Sequence, residues 1–346
     1  MNSLRTSMKI LYFYGRQLKW IMDQYFLKSF FVFIAVLLIY SCSSSKKAQS
    51  DVSEEDSPIR TQIIVPDTFV LPDIPAEITN SDARAAYLVM HYWDRFDFAD
   101  EKLTQRPEIT EQAFVDYINI LTYVPFEKAQ ESLNYTLKKA ETGNAMYAYF
   151  GTLFDKYFYG ANSPFRNEEF YVPVLQELVK SDLLSEVDKS KYQFQLEMAT
   201  KNRVGQTAND FAYTLASGQS QKLHSIRSEY LILMFSNPGC NTCLSVTDAL
   251  TKSAALNQAF SMNSPTRTMI TVLTVYPDAD IDEWTSHLSQ MPANWLHSYD
   301  KGMLITKQKL YDIKAIPTLY LLDKDKKVIL KDTSIEAIEA FFERPN

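Results

Sequence analysis

The chain has 346 residues, 46% of them hydrophobic, which is enough for two domains with cores of their own. Its formal net charge is -7, and Arg5, Lys9, Arg16, Lys19 and Lys28 against Asp23 alone stand ahead of Cys42, leaving 30 basic and 41 acidic residues from there on. That balance excludes the basic footprint of a nucleic-acid binder, so no nucleic-acid partner is expected.

Behind Lys28, residues 29–40 form an uninterrupted apolar stretch, Ser-Phe-Phe-Val-Phe-Ile-Ala-Val-Leu-Leu-Ile-Tyr. As a helix it spans about 18 Å, short of the ~30 Å of a bilayer's hydrocarbon core. It reads as the apolar region of a signal peptide over residues 1–41. The following Ile39-Tyr40-Ser41-Cys42-Ser43-Ser44-Ser45 resembles a bacterial lipobox, in which a small residue precedes a cysteine that is lipidated and becomes amino-terminal. Tyr40 departs from the small residue usual at its position. The resemblance implies a lipid on Cys42 and attachment to a bacterial membrane, taken as the periplasmic side and the outer membrane. The other reading is an uncleaved anchor helix. The leader is long, and a start at Met8 or Met22 would give a more ordinary one.

Residues 42–79 read as the lipidated cysteine and a tether. The part up to residue 60 is polar and cannot bury a core; Ile63-Ile64-Val65-Pro66 to Pro75 is apolar and proline-punctuated, an extended arm. Residues 80–202 read as an all-α domain. Ser81-Asp82 can cap a helix with Ala86, Val89, Met90, Trp93 and Phe96 on one stripe, and further helices are expected at 110–122, 126–141, 144–158, 168–180 and 186–200. The segment has no internal repeat, no glycine-rich phosphate loop and no metal-ligand spacing. His91, beside Trp93 and Arg95, reads as core and rim rather than a site. Arg166 reads as part of a solvated loop.

Near Gly205 the texture changes. Phe211-Ala212-Tyr213-Thr214-Leu215 alternates and runs into a turn at Ser217-Gly218, a strand and hairpin signal. Then come a strand at 230–235, a helix at 241–262, a strand at 268–276, a helix at 280–290, a short segment with Trp295, a helix at 303–312, strands at 318–322 and 327–331, and a helix at 334–343. The pattern predicts a mixed sheet with helices on both faces, its last two strands antiparallel about Asp323-Lys324-Asp325-Lys326.

Between the strand at 230–235 and its helix stands Asn237-Pro238-Gly239-Cys240-Asn241-Thr242-Cys243. Cys240 falls at the helix start and Cys243 one turn in, so their sulfurs can meet and bond. Open N–H groups and the helix dipole favour a thiolate at Cys240, the nucleophile of thiol–disulfide exchange. The chain has three cysteines, so with Cys42 lipidated no thiol is left over.

Three features together resemble the exported thiol–disulfide oxidoreductases related to TlpA and ResA, across residues 203–346. They are the strand–Cys240-Asn241-Thr242-Cys243–helix, the run Ala315-Ile316-Pro317-Thr318-Leu319-Tyr320-Leu321-Leu322-Asp323, and the lead-in Gly205-x-x-Ala208-x-Asp210-Phe211. The resemblance implies a thioredoxin-like α/β fold after the all-α domain. It implies Cys240 as nucleophile, Cys243 as resolving thiol in a redox disulfide with it, Pro317 as a cis-proline, and Ile316 as the backbone that pairs with substrate. It also implies a protein or small-molecule disulfide as substrate, a membrane electron donor, and no cofactor or metal. Residues 80–202 resemble a helical domain of unknown function that precedes thioredoxin-like domains in Gram-negative lipoproteins. Gly239 replaces the family's frequent Trp, and Met234 and Val246 stand where acids often assist the second cysteine, which leaves Asp248 as a substitute.

The expected activity is membrane-anchored reduction of protein disulfides. The alternative is a redox-inactive scaffold whose helical domain binds a peptide or partner protein. A peroxidase is disfavoured, because Asn237 occupies the position where a peroxiredoxin needs Thr.

Overall fold

The computed structural model describes residues 68–344. The leader over 1–41, Cys42 and the tether as far as residue 67 lie outside the described residues. By their contacts these residues fall into two compact units, the chain up to Asp97 with Gln105–Ser132, and Phe98–Thr104 with Leu133 onward.

The first unit holds α1 (Ser81–His91), α2 (Thr110–Ile120) and the start of α3 (Phe126–Ala140). The cap of α1 is Asn80 rather than Ser81-Asp82: its Oδ1 accepts from Asp82 N at 2.9 Å and Ala83 N at 3.0 Å. These are two of the four N–H groups that a helix start leaves open. Val89, Tyr92, Trp93, Phe114, Tyr117 and Leu121 are buried. Of the expected arm, Ile63 to Pro75, residues 68–75 are described; they form neither helix nor strand, and Phe69 stacks on Tyr92 at 5.0 Å. Ser132 Oγ donates to Val89 O at 2.7 Å and so accepts from Tyr117 OH, also at 2.7 Å, which leaves none of these buried groups unpaired. His91 is a rim residue that bonds Asp94 at 2.7 Å, while Trp93 beside it is core.

The second unit contains the later helices of the all-α segment as well as the sheet. Those helices are the rest of α3, α4 (Asn144–Phe154), α5 (Glu168–Lys180) and α6 (Glu186–Ala199). Met146, Tyr147, Phe150, Leu153 and Phe154 are buried at helical spacing. A π-turn at Asp155–Tyr159 follows α4, and Asn167 caps α5 by accepting from Phe170 N at 3.1 Å.

The rest is a thioredoxin-like α/β arrangement. Its elements are β1 (Ala212–Leu215), β2 (Ser220–Lys222), β3 (Tyr230–Phe235), α7 (Asn241–Lys252), α8 (Ala254–Ser261), β4 (Ile270–Tyr276), α9 (Ile281–His287), β5 (Leu296–Tyr299), α10 (Leu304–Lys307), β6 (Thr318–Asp323), β7 (Val328–Leu330) and α11 (Ile335–Phe342). The sheet order is β2-β1-β5-β4-β3-β6-β7. β3 is central, parallel to β4 and antiparallel to β6. Side chains alternate across a strand, so β3 feeds two cores. Leu231, Leu233 and Phe235 join Phe211, Tyr311 and Tyr320 on one face. Ile232 and Met234 join Cys243, Leu250, Leu319 and Ile338 on the other. This is why the run from Leu231 to Phe235 is apolar throughout.

Three expected elements differ. The helix at 241–262 is two helices, because Ser253 adopts an extended backbone and caps α8 through Leu256 N at 3.4 Å. The segment after Trp295 is a strand, β5, parallel to β4 and antiparallel to β1; its four residues include His297 and Ser298, so no apolar alternation marked it. The helix at 303–312 is a single turn, bounded by the left-handed Met303 (φ 54°) and Lys309 (φ 52°). At the first hairpin, Gly218 has φ +83°, a conformation that side chains disfavour, which explains glycine in that turn.

Candidate active site: the Cys240–Cys243 pair

β3 ends at Phe235, and a short loop carries the chain into α7. Asn237 folds that loop on itself: its side-chain oxygen accepts from Gly239 N at 2.8 Å and its carbonyl from Cys240 N at 3.1 Å. Cys240 is therefore the N-cap of α7. It is partly exposed, whereas Cys243 is 2% exposed, and both are free thiols.

Their environments drive the two thiols apart. The backbone N–H of Cys243, followed by smaller effects that include the Cys243 thiol and the Thr242 N–H, holds the Cys240 thiol below its ordinary value. Burial foremost, with the neighbouring Cys240, pushes the Cys243 thiol up to about 12. The pair thus joins a thiol that ionises readily to one that burial keeps protonated.

The loop ahead of β6 comes to the same place. Cys240 Sγ lies 4.0 Å from the carbonyl oxygen of Ile316, and the Ile316–Pro317 peptide is cis. Cys240 and Cys243 on one side and Ile316 and Pro317 on the other, 73 or more positions away in the chain, are thereby assembled at one end of the neighbouring strands β3 and β6. Cys42 lies outside the described residues.

The same loop is anchored from behind by buried charge. Lys314 reaches Glu168, Asp312 at 3.0 Å and Asp332 at 3.6 Å. Lys331 donates to the other Glu168 oxygen at 2.6 Å and to the carbonyls of Ala199 at 3.1 Å and Lys201 at 2.6 Å, at the end of α6. Tyr159 OH donates to Asp312 at 2.7 Å, and Lys314 Nζ sits 4.2 Å from the Tyr159 ring centroid. Burial lowers the Lys314 pKa, but Glu168, Asp312 and Asp332 outweigh it, and the net shift is upward. Arg166 corrects the sequence reading. It is not a solvated loop residue: it donates to the carbonyls of Asp332 at 2.8 Å and Ala161 at 3.0 Å, and pairs with the Asp332 carboxylate at 3.3 Å.

The departures from the expected site have structural reasons. A Cβ on residue 239 would stand 2.5 Å from Glu283 Oε1, so a carboxylate from α9 takes up space beside the position where a Trp is frequent. Met234 is fully buried in the apolar core. Asp248 does not substitute for the missing acids, since it is exposed and paired with Lys252 at 2.8 Å. The sequence reading placed a helix at 280–290 but gave no role to Glu283 or His287 on it; Asp280-x-x-Glu283 is a helix-start signature, and Asp280 Oδ1 does accept from Glu283 N at 3.0 Å. That cap sets the helix that brings Glu283 and His287 toward the cysteines. Among the described residues no group of three or more His, Cys, Asp or Glu side chains is arranged to hold a metal ion.

Comparison with known proteins adds the following. Residues 41–202 match a domain of unknown function, DUF5106, and residues 228–328 match a thioredoxin-like family. A thioredoxin-like protein of solved structure from Bacteroides caccae is 44% identical; the match covers 80% of this chain and 98% of that one, with a TM-score of 0.75. The C-terminal domain of an uncharacterized protein from Bacteroides fragilis is 39% identical over 42% of this chain and 100% of that one, with a TM-score of 0.39. A conserved protein of unknown function from Bacteroides fragilis is 32% identical over 40% and 98%, with a TM-score of 0.38. No curated protein matches the chain.

Proposed function

This chain belongs to the thioredoxin-like family, with a DUF5106 region ahead of its thioredoxin-like domain, and on that footing we propose that it is a thiol–disulfide oxidoreductase that reduces protein disulfides. One observation carries the reading: the N-cap sulfur of Cys240, its pKa lowered by helix N–H groups, lies 4.0 Å from the Ile316 carbonyl with a buried Cys243 thiol close by. The Cys240 thiolate attacks one sulfur of a substrate disulfide. The Cys240–substrate bond forms, the substrate S–S bond breaks, and the departing sulfur leaves as a thiolate that takes a proton. Cys243 then attacks Cys240, which releases the second substrate thiol and leaves the Cys240–Cys243 disulfide. A dithiol reductant, proposed to be a membrane electron donor, returns the pair to thiols by the reverse exchange. The exposed Gly239 and Leu244 beside Cys240 leave this end of the sheet open to an extended peptide along Ile316. Anchorage by a lipid on Cys42, on the periplasmic side of a bacterial outer membrane, belongs to the same proposal and rests on the lipobox-like run.

The test is insulin-disulfide reduction with a thiol donor, beside a titration of the dithiol in graded thiol buffers. Wild type should reduce insulin and titrate at or below roughly −220 mV, in the range of thioredoxin and the glutaredoxins. Cys240→Ser should be inactive. Full activity in Cys240→Ser would sink the reading, and a pair that never titrates would favour the redox-inactive scaffold.

A further inference from the structure

The closing step sets a proton problem. Cys243 must attack as a thiolate, yet burial first of all raises its pKa to about 12. The two positions where relatives of this fold often carry an acid are Met234 and Val246 here, and Asp248 faces solvent.

Helix α9 supplies a different group. A cavity of about 20 Å³ touches Cys243 and is lined by Asn237, Pro238, Thr247, His287 and Met291 among others. That volume accommodates about one water molecule. His287 Nδ1 lies 2.9 Å from the Glu283 carbonyl oxygen, which can only accept, so in the neutral ring Nδ1 carries the hydrogen. Its other neighbour, Ser286 Oγ at 3.1 Å, is then an acceptor too. Nε2 is left with a bare lone pair, and it has no hydrogen-bond partner among the described residues. His297 differs: Thr274 at 2.9 Å and the Pro292 carbonyl at 2.8 Å engage both its nitrogens. The titratable groups around His287 are Cys243 from α7 with Cys240 beyond it, and on its own helix Glu283, whose carboxylate accepts from Tyr276 OH at 3.2 Å. No lysine, arginine or carboxylate lines the cavity.

We propose that His287 is the proton acceptor for Cys243 in the closing step, directly or through one water in this cavity; the proposal rests on the thiol–disulfide reading above. Nε2 takes the Cys243 proton. The Cys243 sulfur forms its bond to Cys240 as the Cys240–substrate bond breaks. The electron pair leaves on the substrate sulfur, and the imidazolium returns the proton to that thiolate or to solvent.

The test uses the full chain, reduced and mixed with the aromatic disulfide dithiobis-nitrobenzoate. Attack by Cys240 releases one nitrobenzoate thiolate in a first phase. Closure by Cys243 releases the other in a second phase. His287→Gln should keep the first phase and slow the second by about 10²-fold at pH 7, the low end of what a placed proton acceptor supplies. The second phase should also lose the acidic limb of its pH profile, and free imidazole should speed it in His287→Ala. An unchanged second phase in both variants would overturn the proposal. So would a slowed phase that imidazole does not restore, because a free base does not repair a structural defect. A wild type without a first phase would instead remove the thiol–disulfide reading, and the proposal with it; Cys240→Ser, which lacks the first phase, marks that case.

Discussion

Within one loop, Asp312 and Lys314 are held by a buried set of charges, while Ile316 and Pro317 meet the cysteines through backbone. Behind the loop, Arg166, Lys314 and Lys331 balance Glu168, Asp312 and Asp332, and the last five of these side chains are about one-tenth exposed or less. In front of it, the Cys240 thiolate is favoured chiefly by helix N–H groups. Buried ion pairs cost desolvation, and their return is a defined geometry when every member is paired. A fixed full charge at the sulfur would bias it in every redox state. N–H dipoles favour the thiolate and are still satisfied by solvent or helix when it is gone. The difference teaches that charge here positions the loop that carries Ile316 and Pro317, whereas backbone dipoles and burial set the two thiols apart.

The largest expected effect separates the two regions by pH. Burial foremost raises the pKa of Tyr159, Tyr171, Tyr311 and Tyr320, with nearby carboxylates adding to it. Above pH 10 the unfolded chain loses phenol protons that the folded chain keeps, so stability falls, by up to about 1.4 kcal/mol per pH unit for each such group. Lys314, also raised, acts in the same direction: its contribution is complete below the unfolded value of 10.5 and is lost as pH rises through the folded one. Cys240 is lowered, so its contribution is present above the ordinary thiol value and lost as pH falls through the folded one. Urea unfolding at pH 9 and pH 11 should show a drop of several kcal/mol; equal midpoints would break the argument.

Lys314→Ala comes next. It strands Glu168, Asp312 and Asp332 with one cation fewer, and removing one partner of a buried pair typically costs about 3–5 kcal/mol. Denaturant unfolding measures it, and a loss below about 1 kcal/mol would show that the cluster does not hold the loop. At the cysteines the readout is reactivity. Iodoacetamide should modify Cys240 with a midpoint below the usual thiol range, while Cys243 in Cys240→Ser stays slow to far higher pH. Similar midpoints would erase the contrast between the two sulfurs. Asp248→Asn gives the smallest effect. It removes an exposed pair with Lys252 and should change stability by about 0.5 kcal/mol or less, with disulfide reduction unaltered.

Much of the fold and half of the site were legible along the chain. The apolar run of β3, the helical spacing after Cys240 and the turn at Asp323–Lys326 each report local geometry, and each is found. The break at Ser253 was missed because apolar spacing continues across it while the Ser side chain caps the second helix. β5 was missed because its partners β1 and β4, not its own composition, make it a strand. His287 carries no local mark, since a histidine at the end of a short amphipathic helix has many ordinary uses.

The sequence by itself determined which residues could do sulfur chemistry and where strands give way to helices, because capping, periodicity and a Cys-x-x-Cys spacing act within a few residues. Only the tertiary structure decided that Ile316 faces Cys240, that Arg166 and Glu168 lock the loop behind it, and that His287 shares a cavity with Cys243. Those relations join residues far apart in the chain. They depend on which faces the sheet and its helices bury together, a choice that packing of the whole unit makes and that no short stretch of sequence records.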